Sequence, residues 1–142
     1  MPIHHRFFPE HSLLSLVWEG SLEQAEILHA SDKWLESLGD ADGVTALTDL
    51  TQLAAALPAD TAETLFAKLE RIGLTARISQ DLIICPEEAF AEASKFWALA
   101  HEIGWKIAVV TNAASAATAL RMPTDAIIGL LESTRISQET HA

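Results

Sequence analysis

Cysteine occurs once among the 142 residues, at Cys85. A single thiol excludes an intramolecular disulfide and any zinc site built on several thiolates. Basic residues are scarce as well: 9 Lys and Arg stand against 20 Asp and Glu, a formal charge of -11. Such a surface repels phosphate backbones and anionic lipid, so no nucleic-acid partner is expected and membrane binding starts as a poor hypothesis. No apolar run approaches the ~18–20 residues of a membrane helix, so no membrane span is expected. The opening Met-Pro-Ile-His-His-Arg-Phe-Phe-Pro lacks the apolar core of a signal peptide. Those two absences make a cytoplasmic location the expectation. Internal repeats, low-complexity blocks and long linkers are also missing. What is there is globular in kind: 49% apolar and 20% charged residues, in a length that suits one domain. The expectation is a single α/β domain over residues 1–132 and a flexible polar tail over 133–142.

The hydrophobic pattern alternates between strand and helix. Phe7 and Phe8, a Pro-Glu-His-Ser turn and the apolar run Leu13 to Trp18 together read as a β-hairpin. Ser21 and Gln24 form a capping-box pattern ahead of a helix carrying Ile27, Leu28, Trp34, Leu35 and Leu38, with Gly39 as its stop. Val44 to Leu50 reads as a strand. A helix from about Asp60 carries Ala62, Leu65, Phe66, Leu69 and Ile72, and Gly73 ends it. Leu82 to Cys85 is a short apolar strand, and Pro86 suits the first turn of a helix running to Ile103. Lys106 to Val110 is a fifth strand, and Asn112 can cap an Ala-rich helix to about Met122. Pro123 interrupts that helix, and a short one follows over Asp125 to Leu131. This order predicts a mostly parallel five-stranded sheet with helices on both faces and an N-terminal β-hairpin at one edge.

The element order resembles the STAS family, above all its bacterial STAS-like, or SpoIIAA-like, members. It is more distantly similar to anti-sigma-factor antagonists and to lipid-carrying Sec14-type domains. Three stretches carry the likeness: the strand–Glu–Gly–Ser opening at Leu13 to Ser21, the strand ending Thr48-Asp49-Leu50-Thr51, and the strand, Pro86 and long helix from Leu82 to Ile103. The resemblance implies the STAS (SpoIIAA-like) topology and a non-catalytic regulatory or interaction module. Such a module binds a protein partner, or a small-molecule or lipid ligand, and needs no cofactor. Phosphorylatable STAS domains carry Asp-Ser-Ser/Thr-Gly after the third strand. Here the stretch reads Asp49-Leu50-Thr51-Gln52, which leaves Thr51 as the one hydroxyl at the matching place.

Ligands of open α/β sheets lie beyond the C-terminal strand ends. That rule makes Asp49, Thr51, Thr111 and Asn112 the candidate ligand-binding residues, with Glu19, Ser21, Cys85 and Glu87 on the same lip. The competing reading is local: Ser21 and Asn112 cap helices, and Asp49 bonds its own turn. Trp105 to Ala113 looks like the strand-plus-Thr-Asn segment of haloacid-dehalogenase-type phosphatases. The Asp-x-Asp nucleophile and acid of those enzymes is absent, so phosphatase activity is rejected. Cys85 lies at a strand end before a helix, where a dipole lowers a thiol pKa; buried cysteines are otherwise inert packing. A small hydrolase or transferase using Cys85, or the Asp49/Thr111/Asn112 lip, is therefore the alternative to the module. His4, His5, His11, His29, His101 and His141 make no i,i+4 pair, so no metal site is expected, and His4 and His5 read as a solvated terminus. On the third helix the apolar positions form too wide a stripe for a helix that only covers a sheet. Phe90, Phe96, Trp97, Leu99 and Trp105 are thus the candidate interface with a protein partner or a homodimer mate.

Overall fold

The structure, a computed structural model, describes residues 3–140. The chain opens with β1 (Ile3–Phe8) and β2 (Leu13–Gly20), paired antiparallel across a 3-10 turn at Pro9–His11. So short a link permits only antiparallel pairing, because a parallel neighbour needs a crossover of a dozen or more residues. There follow α1 (Gln24–Leu38), β3 (Val44–Leu53), α2 (Thr61–Arg71), β4 (Ile78–Ile84), α3 (Phe90–Glu102), β5 (Lys106–Val110), α4 (Ala113–Leu120) and α5 (Thr124–Thr140). The pairs β2–β3, β3–β4 and β4–β5 are parallel. The fold is α/β on five strands, and the expectation of a mostly parallel sheet is corrected to a mixed one, since its leading strand runs against its neighbour.

The strands lie in chain order, β1-β2-β3-β4-β5. Each crossover steps in the same direction, and crossovers of one hand then lay their helices on one face. On that face Ile27 and Trp34 of α1, Leu65 and Phe66 of α2, and Ala93 of α3 pack over Leu14, Leu16, Ala46 and Ile83. The chain turns to the other face only after β5. There Ala116, Ala117, Ile127 and Leu131 of α4 and α5 meet Val17, Leu47, Leu82 and Ile84.

Helix ends show which local signals held. Asn112 caps α4 as its position suggests, its Oδ1 accepting from the Ser115 N–H at 2.8 Å. Ser21 does not cap α1; Glu23 occupies that place, its N–H donating to Glu26 Oε1 at 3.1 Å. The last turn of α2 passes into Gly73 at φ 84, a backbone angle that a side chain resists.

The helix expected over Asp125 to Leu131 runs further, and residues 141 and 142 of the expected tail lie outside the described residues. Residues Ser133 to Thr140 continue α5. Thr134 faces the sheet and is fully buried, donating to the Leu130 carbonyl at 2.7 Å and sharing a hydrogen bond with the Ser15 hydroxyl at 2.8 Å. Arg6 of β1 donates to Ser133, and Arg135 Nε lies 2.6 Å from Glu19 Oε1. These polar contacts hold a mostly polar stretch whose pattern suggested nothing to dock it. Among the described residues, no helix is long and apolar enough to cross a membrane.

Candidate functional site

The rim residues satisfy one another locally. Asp49 is buried within β3 and accepts from the Thr51 N–H at 2.9 Å and from the Thr51 hydroxyl at 2.6 Å. Asn112 spends its side-chain oxygen on α4, and Thr111 beside it is exposed. Asp49 borders a shallow groove with Gln52, Ala113 and Arg135, but Thr51, Thr111 and Asn112 do not line it. The strand order explains why the four fail to converge. A rim crevice opens where strand order reverses and neighbouring crossovers part to opposite faces. Here α1, α2 and α3 stay on one side, so no such parting occurs among the parallel strands.

On α3 the expected interface divides. Phe96 and Trp105 turn inward and meet Phe66, at centroid separations of 5.7 and 6.2 Å. Trp105 is buried and donates its indole N–H to the Thr75 carbonyl at 3.1 Å, and Leu99 packs against the core. The wide stripe exists because α3 covers α2 and β5 together, with Phe96 and Leu99 left half-buried. Phe90 (57% exposed), Trp97 (40%) and Ile103 (44%) remain outside. Trp97 stacks on His101 and donates to the Ile107 carbonyl of β5, the last strand of the sheet.

Cys85 is buried just past β4, and burial, with the charge of Glu88 adding to it, raises its thiol pKa. That is the reverse of an activated thiolate. His4 is buried rather than solvated, its Nε2 2.9 Å from Glu19 Oε2. His5 is half-buried; burial and then Lys33 lower its pKa against the pull of Glu36. His141 lies outside the described residues. Among the described residues, no group of three or more His, Cys, Asp or Glu side chains is placed to hold a metal.

A second concave feature lies beneath α2. A cavity of about 70 Å³ runs between that helix and the sheet. Its wall is apolar: Leu14, Leu16, Ala46 and Ile83 below, Leu65 and Leu69 above, with Trp18, Trp34 and Trp105 around it. Two carboxyl groups reach the wall, Asp81 of β4 and Glu92 of α3.

The two acids are held in opposite states. Asp81 is 5% exposed, and burial lifts its pKa from 3.8 to about 7, against the hydrogen bonds from Thr48 and the Leu82 N–H that favour the anion. Thr48 Oγ1 lies 3.2 Å from Asp81 Oδ1. For Glu92, burial also pushes upward, but the Ala62 N–H at 2.9 Å and Lys95 at 2.9 Å outweigh it, leaving the pKa below the ordinary value. Glu92 is thereby the N-terminal cap of α2, supplied by a neighbouring helix. Two more polar atoms at this layer lack protein partners: the buried indole N–H groups of Trp18 and Trp34, whose rings stack at 6.1 Å.

Sequence reasoning missed Asp81 and Glu92. A signal existed for Asp81, because counting back by two from Ile83 puts it on the same strand face. Starting that strand at Leu82 hid it. Nothing local marks Glu92 as a cap for a distant helix. Comparison with protein-family models, with curated proteins and with solved structures finds no match for this chain.

Proposed function

We propose that the chain is a non-catalytic binding module of STAS-like, or SpoIIAA-like, type, which holds a small apolar ligand in the cavity beneath α2. The cavity carries this reading. Protein interiors leave few voids larger than a water molecule, and apolar pockets with a few placed polar groups are the usual form of small-ligand sites. Here the wall is apolar and carries two buried carboxyl groups, Asp81 and Glu92. The likeness at Leu13–Ser21, Thr48–Thr51 and Leu82–Ile103 supports the family assignment. The buried, pKa-raised Cys85 and the self-satisfied Asp49 lend no support to the hydrolase or transferase alternative.

A regulatory role follows from how the site is built. Glu92 both lines the cavity and caps α2, so an occupant that moves either helix moves the other. The outer side of α3 presents Phe90, Trp97 and Ile103, where a protein partner or a second copy reads that movement.

Two measurements test the reading. Native mass spectrometry of protein purified from its own host should show a bound small molecule, lost in Ala93→Leu, which fills the wall. Xenon should shift methyl signals of Leu65 and Leu69 in NMR spectra, as it enters dry apolar cavities. Absence of a bound species together with unmoved methyl signals would overturn the proposal.

A further inference from the structure

The groove at the C-terminal end of β3 carries two side chains of opposite charge, each held from behind. It measures about 230 Å³ and lies between the start of α4 and the side of α5. Asp49 borders it while only 7% exposed. Its Oδ1 accepts both bonds from Thr51, and its Oδ2 accepts none from the described residues. Buried polar atoms are almost always paired. Oδ2 is open to solvent, unlike the unpaired Nδ1 of His4, and the concavity that Asp49 borders is this groove.

Arg135 is the cation of the same wall. Its Nε lies 2.6 Å from Glu19 Oε1, and Glu19 Oε2 is 2.9 Å from Nε2 of the buried His4. The histidine thus holds the glutamate, and the glutamate holds the guanidinium by its inner nitrogen. The two terminal nitrogens make no hydrogen bond to a described residue. That pair is the fork that grips a carboxylate. Ala113, Ile128 and Leu131 add apolar wall, and Ile128 is left 40% exposed.

We propose that this groove binds a free amino acid with an apolar side chain, its ammonium on Asp49 Oδ2, its carboxylate on the terminal nitrogens of Arg135 and its side chain against Ile128 and Leu131. The site is separate from the cavity beneath α2 and does not depend on it. Charge selects the class. Asp49 and Glu132 outnumber Arg135 on the wall, and Glu19 offsets Arg135 further, which disfavours a lone carboxylate. A lone amine leaves the guanidinium fork empty. A zwitterion answers both. Room is sufficient, since a cavity of about 150 Å³ already holds benzene.

L-valine, isobutylamine and isovalerate test the proposal, the second lacking only the carboxylate and the third only the amine. In ¹H–¹³C spectra at pH 7, L-valine should move the methyl signals of Ile128 and Leu131 and leave those of Leu65 and Leu69 in place. Each of the other two should bind at least about tenfold more weakly, the loss of one charged hydrogen-bonded end. Asp49→Asn keeps an oxygen for Thr51 and should bind L-valine no better than isovalerate. Arg135→Gln should bind L-valine no better than isobutylamine. A purely structural role for either residue would leave those preferences unchanged. Should a variant not fold, the three-ligand series on the native chain decides alone. Unmoved Ile128 and Leu131 signals, or either truncated ligand binding as tightly as L-valine, would overturn the proposal and leave the cavity reading to its own xenon test.

Discussion

Asp81 is the residue at which folding and binding conflict. A carboxyl whose pKa is higher in the folded chain than in the unfolded one subtracts stability wherever the unfolded form ionises and the folded form does not. For Asp81 the loss begins near pH 4, grows until about pH 7 and is complete above it. Asp81→Asn keeps a partner for Thr48 and removes the titration. It should match the native chain near pH 4 and exceed it at pH 8 by about 2–4 kcal/mol, the order of three pKa units. Urea unfolding at pH 4.5, 6 and 8 reads the difference; a gap that does not widen with pH would refute the assignment. Burial acts on Cys85 in the same direction. Its thiol pKa is raised and its Sγ lies against the Pro86 carbonyl. Alkylation by iodoacetamide at pH 8 should be at least tenfold slower in the folded chain than in urea, because the thiolate is the nucleophile. Fast labelling of the folded chain would return the thiol to the list of catalytic candidates.

Element boundaries were legible where a single residue type marks them. Gly73 closes α2, Asn112 opens α4, and Pro123 separates α4 from α5. Each works through its own backbone or side chain, so sequence alone suffices. Caps that arrive from elsewhere were not legible. Asp60, ahead of α2, sits at φ 65 and makes no side-chain cap, while Glu92 reaches across from α3 to the Ala62 N–H. Glu92→Ala should cost about 1–2 kcal/mol near neutral pH, the range of a lost cap. Glu92→Gln, which retains an acceptor, should cost less. Since the pKa of Glu92 is lowered in the fold, its contribution is present above the ordinary carboxylate range and lost as pH falls through the folded value. The penalty of Glu92→Ala should therefore shrink on acidification, and a penalty constant down to pH 2.5 would exclude the carboxylate as the cap. The end of α5 was missed for a related reason. Thr134 docks on Ser15, 119 positions away, and a polar stretch gives no local sign of such a partner.

At the scale of the whole molecule, periodicity predicts strands and helices but not which strands become neighbours. The rim site was argued from the C-terminal strand ends, but a crevice there also needs a reversal of strand order, and the five described strands lie in chain order. Laying α1, α2 and α3 along one face instead makes a continuous helical roof. Where that roof is not fully filled by side chains, the gap falls inside the molecule, under its middle helix. An interior gap has a cost: at about 24 cal/mol per Å³, one of 70 Å³ forgoes roughly 1.5–2 kcal/mol of packing. If the space exists only because packing is imperfect, filling it improves stability and removes nothing else. If it is a site, filling it improves stability and abolishes binding. Ala93, buried on α3 against the cavity, is the position to try. Ala93→Val adds two methyl groups without a polar atom. It should raise the unfolding free energy by up to about 1 kcal/mol, provided the valine takes an unstrained rotamer. The same variant should lose the bound species expected in native mass spectra. A stabilised Ala93→Val that still carries the bound species would place the ligand elsewhere on the molecule.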